Sequence, residues 1–391
     1  MKVNIIIDSN LLFNRYAFYL SHHKGYYLDK RFQQLELIKY VHRSIEFFLN
    51  GIDRNAINSI HFTFDQGKSW RTELFPENTT QYKHGRDKDS FDYQSFNKVI
   101  NDYADIMQQA GMYVHKMDML EADDIIGHIV KYFKNRNMST IIMTSDSDLR
   151  QLISSDKDKF CCIYDSDYQK QLYYIDNKQH FEIAKVEFDN NDDEDDFAAF
   201  FDEKEESHIS DTITFDIREC VLSKYEEIDS MKGLLIKIFS GDKTDNIPSS
   251  FIKITDKEKG TGVSFGKTNA ENLYEQLKRS DDIPTISQLY TMENKRRDIA
   301  AKILSLAKSK DLTQLDVIEK NLIRNIHLIY LDSDFQKDFN LQPKYDIIDK
   351  KLNDSEIFDN HKRKLKELKF SKEYLRNTDY YYDDATYFRN V

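Results

Sequence analysis

The sequence has little of what holds small secreted, fibrous or membrane proteins together. It contains three cysteines, two of them adjacent (Cys161 and Cys162), and this number and spacing fit neither a disulfide framework nor a zinc site. Such use of cysteine is typical of a reducing compartment. Four prolines and eleven glycines among 391 residues exclude a fibrous or loop-dominated chain. No apolar run reaches the length of a membrane span and the N-terminus does not resemble a signal peptide, which predicts a soluble cytoplasmic protein without a membrane partner.

A glycine-rich phosphate loop is also missing after the first predicted strand, residues 2–8, which argues against a nucleotide-binding α/β fold. Two further short apolar strands are predicted over residues 60–65 and from residue 139 onward. Amphipathic helices over residues 35–49 and 91–112 alternate with these strands. This alternation indicates a parallel sheet with right-handed crossovers.

Each of the three strands leads into carboxylates at its C-terminal end, where open parallel sheets bind their ligands. These acids are Asp8, Asp65 and the pair Asp146 and Asp148. The alternative for each acid is that it caps the helix that follows. Several such strands in one chain are more than helix capping usually explains.

The densest group of acids, Glu121, Asp123 and Asp124, directly precedes an apolar helical run. A helix dipole favours negative charge in its first turn, so this group alone is equally consistent with an acidic N-cap and with a cation site. Later in the chain, Asp242 and Asp245 stand three positions apart at a helix–turn junction, so that both can face one point.

Carboxylates without histidine or cysteine companions suit a hard ion, Mg²⁺ or Mn²⁺, rather than zinc. His84 and His115 are assigned to the surface or to packing. So many acids fit two ions better than one, because Mg²⁺ keeps several waters, and a pair of ions can promote hydrolysis of a phosphodiester. The candidate metal ligands are Asp8, Asp65, Glu121, Asp123, Asp124, Asp146, Asp148, Asp242 and Asp245.

The chain is short of positive charge, with a net charge of −12, but the acids are unevenly distributed. Residues 187–206 contain eleven acids and Lys204, so −10 lies in this block and −2 in the rest of the chain. Once the candidate ligands are set aside, the remaining surface is net basic and compatible with a nucleic-acid partner. The block, residues 186–211, predicts a solvated, disordered insert, with a regulatory or DNA-mimicking role as an alternative.

Two segments are suited to contacts with a nucleic acid. Tyr82, Lys83 and Arg86 combine phosphate-binding cations with a ring for base stacking, although a plain surface loop is the alternative. A glycine-rich turn over residues 260–270 is expected to open a helix over residues 271–277, so that its backbone N–H groups face a phosphate.

Taken in order, these motifs resemble the flap endonuclease / 5′-3′ exonuclease family, which includes primer-removing nucleases of bacteriophages and the 5′-nuclease domain of bacterial DNA polymerase I. The similarity spans most of residues 1–335; each motif is weak alone, and the ordered set is specific. The motifs are Ile7-Asp8, Phe64-Asp65 with Trp70-Arg71, Tyr82-Lys83 with Arg86, Glu121-Ala122-Asp123-Asp124, residues 144–148, residues 240–246, and Arg324-Asn325 with residues 327–331.

The resemblance implies an α/β class: a PIN-like parallel-sheet nuclease core with a helical arch, plus an α-helical C-terminal region containing a helix-3-turn-helix motif. The expected nuclease domain covers residues 1–230, with the arch at residues 70–95. The expected DNA-binding domain covers residues 231–391, with the helix-3-turn-helix motif at about 241–278.

The resemblance also implies roles for individual residues. The cofactors would be two Mg²⁺ ions, which Mn²⁺ could replace. The first ion would be held by Asp8, Asp65, Glu121 and Asp123. The second would be held by Asp124, Asp146, Asp148, Asp242 and Asp245. Lys83 and Arg86 would join Asp8, Asp65, Glu121, Asp123, Asp146 and Asp148 in catalysis. Nucleic-acid contacts would come from Arg71, Tyr82, Lys83, Arg86, Gly262, Gly266 and Lys267.

The chain departs from the family in the turn that grips the duplex. The family usually has Gly-x-Gly-x-Lys there, whereas Ser264 takes the first glycine position, Gly266 the second, and Lys267 falls one place early. This departure puts in doubt the monovalent-ion site and the phosphate contact by Lys267. Residues 249–259 also look like an insertion.

The expected function is a structure-selective, metal-dependent 5′-3′ exonuclease and flap endonuclease that acts on DNA flaps and RNA–DNA primers in replication and repair, with RNase H activity. The alternatives are a PIN-type single-strand RNase and a non-catalytic nucleic-acid-binding protein. The expected partners are flapped duplex DNA, RNA–DNA hybrid, and a single-strand-binding protein or sliding clamp; the chain is expected to be a monomer, in the host cytoplasm if viral. The aromatic, acidic tail at residues 380–388 is either a packing segment or a docking peptide.

Overall fold

The computed structural model describes residues 2–25, 28, 30–50, 52, 55–74, 92–156, 159–166, 173–176, 225–256 and 261–367. The predictions for Tyr82, Lys83, His84 and Arg86 lie outside the described residues. The same holds for the acidic block at 186–211 and for the tail at 380–388.

A mixed eight-stranded sheet forms the centre of the N-terminal half, in the order β3-β2-β1-β4-β6-β7-β8, with β5 paired to β6. The pairs β2–β3, β1–β2, β1–β4 and β4–β6 are parallel, which confirms the predicted parallel core. The strands are β1 Val3–Asp8, β2 Ile57–Ser69, β3 Tyr113–Met119, β4 Ser139–Met143, β5 Ser154–Asp156, β6 Lys159–Tyr164, β7 Tyr173–Asp176 and β8 Tyr225–Ile228.

Helices cover both faces of this sheet, and β1 shows why its sequence is apolar throughout. Successive side chains of a strand point to opposite faces, so Ile5 and Ile7 lie in one core cluster while Ile6 lies in the other. The first cluster includes residues of α1 Ser9–Lys24, α2 Arg31–Asn50 and α4 Tyr93–Gln109. The second includes residues of α5 Ala122–Lys134. The short helix α3, Trp70–Leu74, follows β2 directly.

The C-terminal half is helical and has its own core cluster. Its helices are α6 Ser230–Ser240, α7 Lys267–Arg279, α8 Ile286–Thr291, α9 Glu293–Leu306, α10 Leu315–Ile329, α11 Gln342–Leu352 and α12 Ser355–Glu367. Short 3₁₀ turns occur at Ser147–Leu152, Leu312–Gln314 and Ser333–Phe339. Among the described residues, no helix is both long and apolar enough to cross a membrane.

An antiparallel hairpin lies between α6 and α7 where the sequence predicted a glycine-rich turn. Its strands are β9 Ile252–Asp256 and β10 Thr261–Ser264, and Gly262 pairs with Ile254 inside it. The predicted place of Gly262 in a turn at a helix N-terminus is therefore wrong. Gly266 does cap the next helix, which begins at Lys267 instead of residue 271.

The last helices return to the N-terminal sheet. Tyr345 and Ile348 of α11 belong to the same core cluster as Ile125 of α5. In α12, His361 Nε2 accepts a hydrogen bond from the backbone N–H of Ile60 at 3.1 Å, and His361 Nδ1 lies 2.8 Å from the carbonyl oxygen of Gly111. The predicted division at residue 230 thus places α11 and α12 in the C-terminal domain, although both helices pack on the N-terminal sheet.

Candidate metal and nucleic-acid site

Asp8 lies at the C-terminal end of β1 and caps α1 by accepting a hydrogen bond from the backbone N–H of Leu11 at 3.2 Å. Its other oxygen accepts a hydrogen bond from Thr144 Oγ1 at 2.9 Å. The residue is only 3% exposed. Burial raises the pKa of Asp8 to about 7, with further contributions from the negative charges of Asp146 and Asp65. Asp146 and Asp65 are therefore both close enough to Asp8 to disfavour its negative charge.

Asp146 and Asp148 follow β4, where the chain turns into a 3₁₀ helix. Asp146 caps this turn by accepting a hydrogen bond from the backbone N–H of Asp148 at 2.8 Å, while its own N–H donates to Thr144 Oγ1 at 3.0 Å. Burial raises the pKa of Asp148, and the neighbouring charge of Asp146 raises it further. Thr144 thus connects the acids of β1 and β4 through one hydroxyl group.

Asp242 joins this group from the helical half, at the turn after α6. Lys237 Nζ donates to Asp242 Oδ2 at 2.8 Å and also to Asp148 Oδ1, so one ammonium group joins both carboxylates. Burial acts to raise the pKa of Asp242, but the hydrogen bond and charge of Lys237 outweigh it, and the pKa lies below its usual value.

The backbone of this turn is tightly constrained. Gly241 has φ +74°, and a side chain there would overlap the carbonyl oxygen of Ile247, so the position requires glycine. Asn325 Nδ2 donates to the carbonyl oxygen of Pro248 at 3.1 Å, and Arg324 Nη2 donates to the same oxygen at 3.1 Å. The Arg324-Asn325 motif therefore braces the acidic turn, in which Asp245 is half-buried.

The remaining candidate acids gather at the start of α5. Asp65 Oδ1 accepts a hydrogen bond from the backbone N–H of Ala122 at 2.7 Å, which joins the C-terminal part of β2, a strand that continues past Asp65 to Ser69, to the first turn of α5. Glu121 caps this helix and Asp123 is half-buried in its first turn. Asp65 is thus the link between the α5 acids and Asp8, whose pKa it raises.

Asp124 has a different environment from the other acids. It is 1% exposed, and its oxygens accept two hydrogen bonds of 2.7 Å from Arg71, one of 3.1 Å from Trp70 Nε1 and one of 2.9 Å from Gln336 Nε2. The backbone N–H of Glu121 adds a fifth donor at 3.1 Å. Five donors occupy the oxygens of this carboxylate, so a cation would have to displace one of them, and the predicted role of Asp124 as a metal ligand stays a prediction.

Arg71 is the buried partner of Asp124. Its side chain is 1% exposed and faces Asp124, Glu121 and the carbonyl oxygen of Leu328, so it cannot reach a phosphate from this position. In this arrangement Arg71 is an internal ion-pair partner, and its predicted contact with nucleic acid stays a prediction. An arginine next to a basic, aromatic segment resembles a phosphate contact in sequence, and the buried acid that pairs with it lies 53 positions away.

The donor set fits a hard divalent cation. Carboxylate oxygens dominate the site, and Asp8 is buried beside acids that raise its pKa, which is the environment that a bound cation would neutralise. Within the described parts of the chain, no three Asp, Glu, His or Cys side chains are arranged to hold an ion as they lie. Lys237 occupies the space between Asp148 and Asp242, so a cation there requires this ammonium group to move.

A cavity of about 780 Å³ extends from these acids toward the start of α7. It is lined by Asp148, Lys237 and Asp242 on one side and by Gly266 and Lys267 on the other. The side chain of Lys267 is 78% exposed, and a Cβ at Gly266 would contact nothing within 4 Å. The acids and the candidate phosphate-binding helix terminus therefore share one opening.

Two cations beside the acids were missed from the sequence. Lys237 lies in a helix whose apolar pattern gives no signal of a functional residue. Arg15 of α1 donates from Nη1 to Ser166 Oγ at 3.1 Å and from Nη2 to Ser145 Oγ, next to Asp146. The position of Lys237, five residues before Asp242, is the local signal that could have indicated its role.

The 5′-3′ exonuclease, N-terminal resolvase-like domain is the family whose model matches residues 3–187. DNA polymerase I of Chloroflexus aurantiacus is 32% identical over 92 residues, which cover 23% of this chain. The matched stretch spans only 9% of that polymerase.

Solved structures from bacteriophage T5 are also similar. The T5 flap endonuclease, in a pseudo-enzyme-product complex with DNA and metal ions, has a TM-score of 0.50 at 15% identity, covering 93% of this chain and 100% of that chain. A T5 protein co-crystallised with metal ions has a TM-score of 0.46 at 16% identity, covering 94% and 99%. The flap endonuclease shares the fold. Residues 3–187, just under half of this chain, are thus similar to the N-terminal, resolvase-like domain of 5′-3′ exonucleases.

Proposed function

We propose that this chain is a metal-dependent 5′-3′ exonuclease and flap endonuclease. The observation that carries the proposal is a series of neighbouring acids: the charges of Asp146 and Asp65 add to the raised pKa of buried Asp8, and those of Asp146 and Asp242 add to the raised pKa of Asp148. The family of the N-terminal domain and the fold shared with the T5 flap endonuclease support the same activity.

Two divalent ions are the proposed cofactors, Mg²⁺ with Mn²⁺ as a substitute. Asp8, Asp65, Glu121 and Asp123 would hold one ion, and Asp146, Asp148, Asp242 and Asp245 the other, while Asp124 is left out because its oxygens are occupied. When bound, such ions supply an activated water and stabilise the leaving oxygen. The T5 relative bears metal ions in its complex with DNA.

The residues of the chain itself would bind and orient the strand. The backbone N–H groups that begin α7, capped by Gly266, would donate hydrogen bonds to a duplex phosphate, and Lys267 would contact the same strand. Lys83 and Arg86 would hold the scissile phosphate, and Tyr82 would stack on a base. Thr144 would keep Asp8 and Asp146 in register through its hydroxyl group.

The proposed substrates are DNA with a 5′ flap and RNA paired with DNA, as in primers removed during replication and repair. The net basic surface outside the acidic block and the metal site suits a phosphate backbone. A single-strand-binding protein or a sliding clamp is the proposed protein partner, and the chain is proposed to act as a monomer.

Cleavage of labelled flap, nicked-duplex, RNA–DNA and single-stranded RNA substrates tests this function, with Mg²⁺ and with EDTA. We expect Mg²⁺-dependent release of short products from the 5′ end of the flap and the hybrid. Cleavage of single-stranded RNA alone would instead indicate a PIN-type single-strand RNase. Binding without hydrolysis of any substrate, with Mg²⁺ or Mn²⁺, would indicate a non-catalytic nucleic-acid-binding protein.

A further inference from the structure

We infer that Arg71 is a positioning residue that holds the carboxylate of Glu121 in place for a divalent cation. The inference rests on the proposed function for the identity of Glu121 as a ligand. It gives Arg71 a role inside the metal site in place of the contact with nucleic acid that its sequence context predicted.

The guanidinium group of Arg71 is buried at the junction of three parts of the chain. Nη1 donates to Glu121 Oε2 at 3.0 Å and to Asp124 Oδ2 at 2.7 Å, and Nη2 donates to Asp124 Oδ1 at 2.7 Å. Nε donates to the carbonyl oxygen of Leu328 near the end of α10 at 3.1 Å. A planar guanidinium that makes such bonds in fixed directions also fixes the groups that accept them.

Asp124 serves in this arrangement as the counter-charge of Arg71. Trp70 Nε1 and Gln336 Nε2 donate to its two oxygens, and the Trp70 ring stacks on Phe339 with centroids 4.8 Å apart. Tyr345 donates its hydroxyl hydrogen to Gln336 Oε1. The carboxylate of Asp124 therefore has a fixed position and so has the arginine that it binds bidentately.

Glu121 differs from Asp124 in its access to the site. Its side chain is 15% exposed, while that of Asp124 is 0% exposed. Of the two acids that Arg71 binds, only Glu121 is partly exposed, and it directly precedes Ala122, whose backbone N–H donates to Asp65. Arg71 thus restrains a carboxylate that faces the proposed ions, and partners of this kind typically change metal affinity by about 10–100-fold when they are removed.

Lysine at position 71 keeps the charge but loses the fork that binds two carboxylates and a carbonyl group. For Arg71→Lys we expect the Mn²⁺ concentration that half-saturates the full chain to rise about tenfold or more. The readout is the electron paramagnetic resonance signal of free Mn²⁺ at 20 °C, which does not depend on catalysis. Glu121→Gln is the positive control. Arg297→Lys is the matched control, because Arg297 also pairs with two acids, Asp316 and Glu319, but at an exposed site.

Wild-type affinity for Mn²⁺ in a folded Arg71→Lys variant would overturn the inference, since a merely structural role lowers the melting temperature and leaves the affinity unchanged. If circular dichroism shows that Arg71→Lys does not fold, Gln336→Met decides. This variant removes one donor from Asp124, and we expect a smaller rise of about threefold, whereas no rise would contradict the inference. Failure of the proposed function would give a different result: the wild-type chain would bind Mn²⁺ but would not cleave any substrate.

Discussion

Two buried carboxylates, Asp8 at the end of β1 and Asp124 in the first turn of α5, show how differently one chain can treat the same group. Both are almost fully buried, at 3% and 1% exposure. Asp124 accepts a bidentate bond from Arg71 and three further hydrogen bonds. Asp8 accepts hydrogen bonds from a hydroxyl group and a backbone N–H and faces other acids.

The difference in hydrogen-bond partners distinguishes an acid with a structural role from an acid suited to binding a cation. A buried charge is stable only when it is paired and fully hydrogen-bonded. Asp124 meets both conditions within the chain. For Asp8, no positively charged partner is found among the described residues, and its pKa is raised to about 7. Neutralisation must come from a proton or from a cation, and the proposed function requires the cation.

The largest effect that this comparison predicts is on catalysis. Asp146→Asn removes one negative charge from the group that contains Asp8 and Asp148. We expect the single-turnover cleavage rate on flap DNA to fall by roughly a thousandfold or more, because one of the proposed ligands is lost. The affinity for DNA, measured by fluorescence anisotropy in Ca²⁺, should change less than about threefold, since phosphate contacts dominate binding.

The matched control for this change is Asp105→Asn, an exposed acid on the surface of α4. It should cleave at the wild-type rate. Full activity of Asp146→Asn would show that the acids at the end of β4 are not part of the reaction site.

The strand-end acids were predictable because their signals are local. A short apolar run followed by an acid specifies both a buried parallel strand and the sheet edge at which its carboxylate lies. Asp8, Asp65 and Asp146 needed no knowledge of the rest of the fold. Their convergence follows from the parallel arrangement of β2, β1 and β4, which the alternation of strands and helices also predicted.

The partners of these acids were not predictable, because they come from distant positions. Arg71 lies 53 residues from Asp124 and 257 residues from Leu328. Nothing in the neighbourhood of Arg71 separates a buried ion pair from an exposed phosphate contact. The hairpin that contains Gly262 was missed for a related reason: it is two-stranded and lies where a helix-opening turn was expected.

The next largest effect concerns stability, on the Asp124 side of the comparison. Asp124→Asn keeps the size of the side chain but places an amide –NH₂ against Arg71 and leaves that buried cation without its counter-charge. Breaking a buried pair in this way costs about 3–5 kcal/mol. Urea unfolding at pH 7 in EDTA measures it. A loss below about 1 kcal/mol would show that the pair is not a structural element.

For Asp8, we expect the Asp→Asn substitution to raise the free energy of unfolding instead of lowering it. The pKa of Asp8 is raised from 3.8 to about 7, so its contribution to stability is present below pH 3.8 and is lost as the pH rises through 7. Asp8→Asn removes this cost and should stabilise the metal-free chain at pH 8 by about 2–4 kcal/mol, with little gain at pH 4. Urea unfolding in EDTA at both pH values tests this, and destabilisation at pH 8 would contradict it.

The smallest expected effect on stability is that of Lys237, whose environment is intermediate between those of Asp124 and Asp8. Its ammonium group bonds to Asp148 and Asp242 as Arg71 bonds to Asp124, but its side chain is 28% exposed and less firmly held. Lys237→Met should cost the metal-free chain only about 1 kcal/mol, because the pair is partly solvated.

The same change should strengthen Mn²⁺ binding by about tenfold, because the ion no longer competes with an ammonium group for these two carboxylates. Lys232→Met is the control, since Lys232 pairs with Glu275 at an exposed site. Weaker binding of Mn²⁺ by Lys237→Met would mean that this lysine positions the acids as Arg71 does. Tighter binding would mean that the ammonium group of Lys237 occupies the position of a cation. Asp148 and Asp242 would then pair with Lys237 in the metal-free chain and bind the ion in the metal-bound chain.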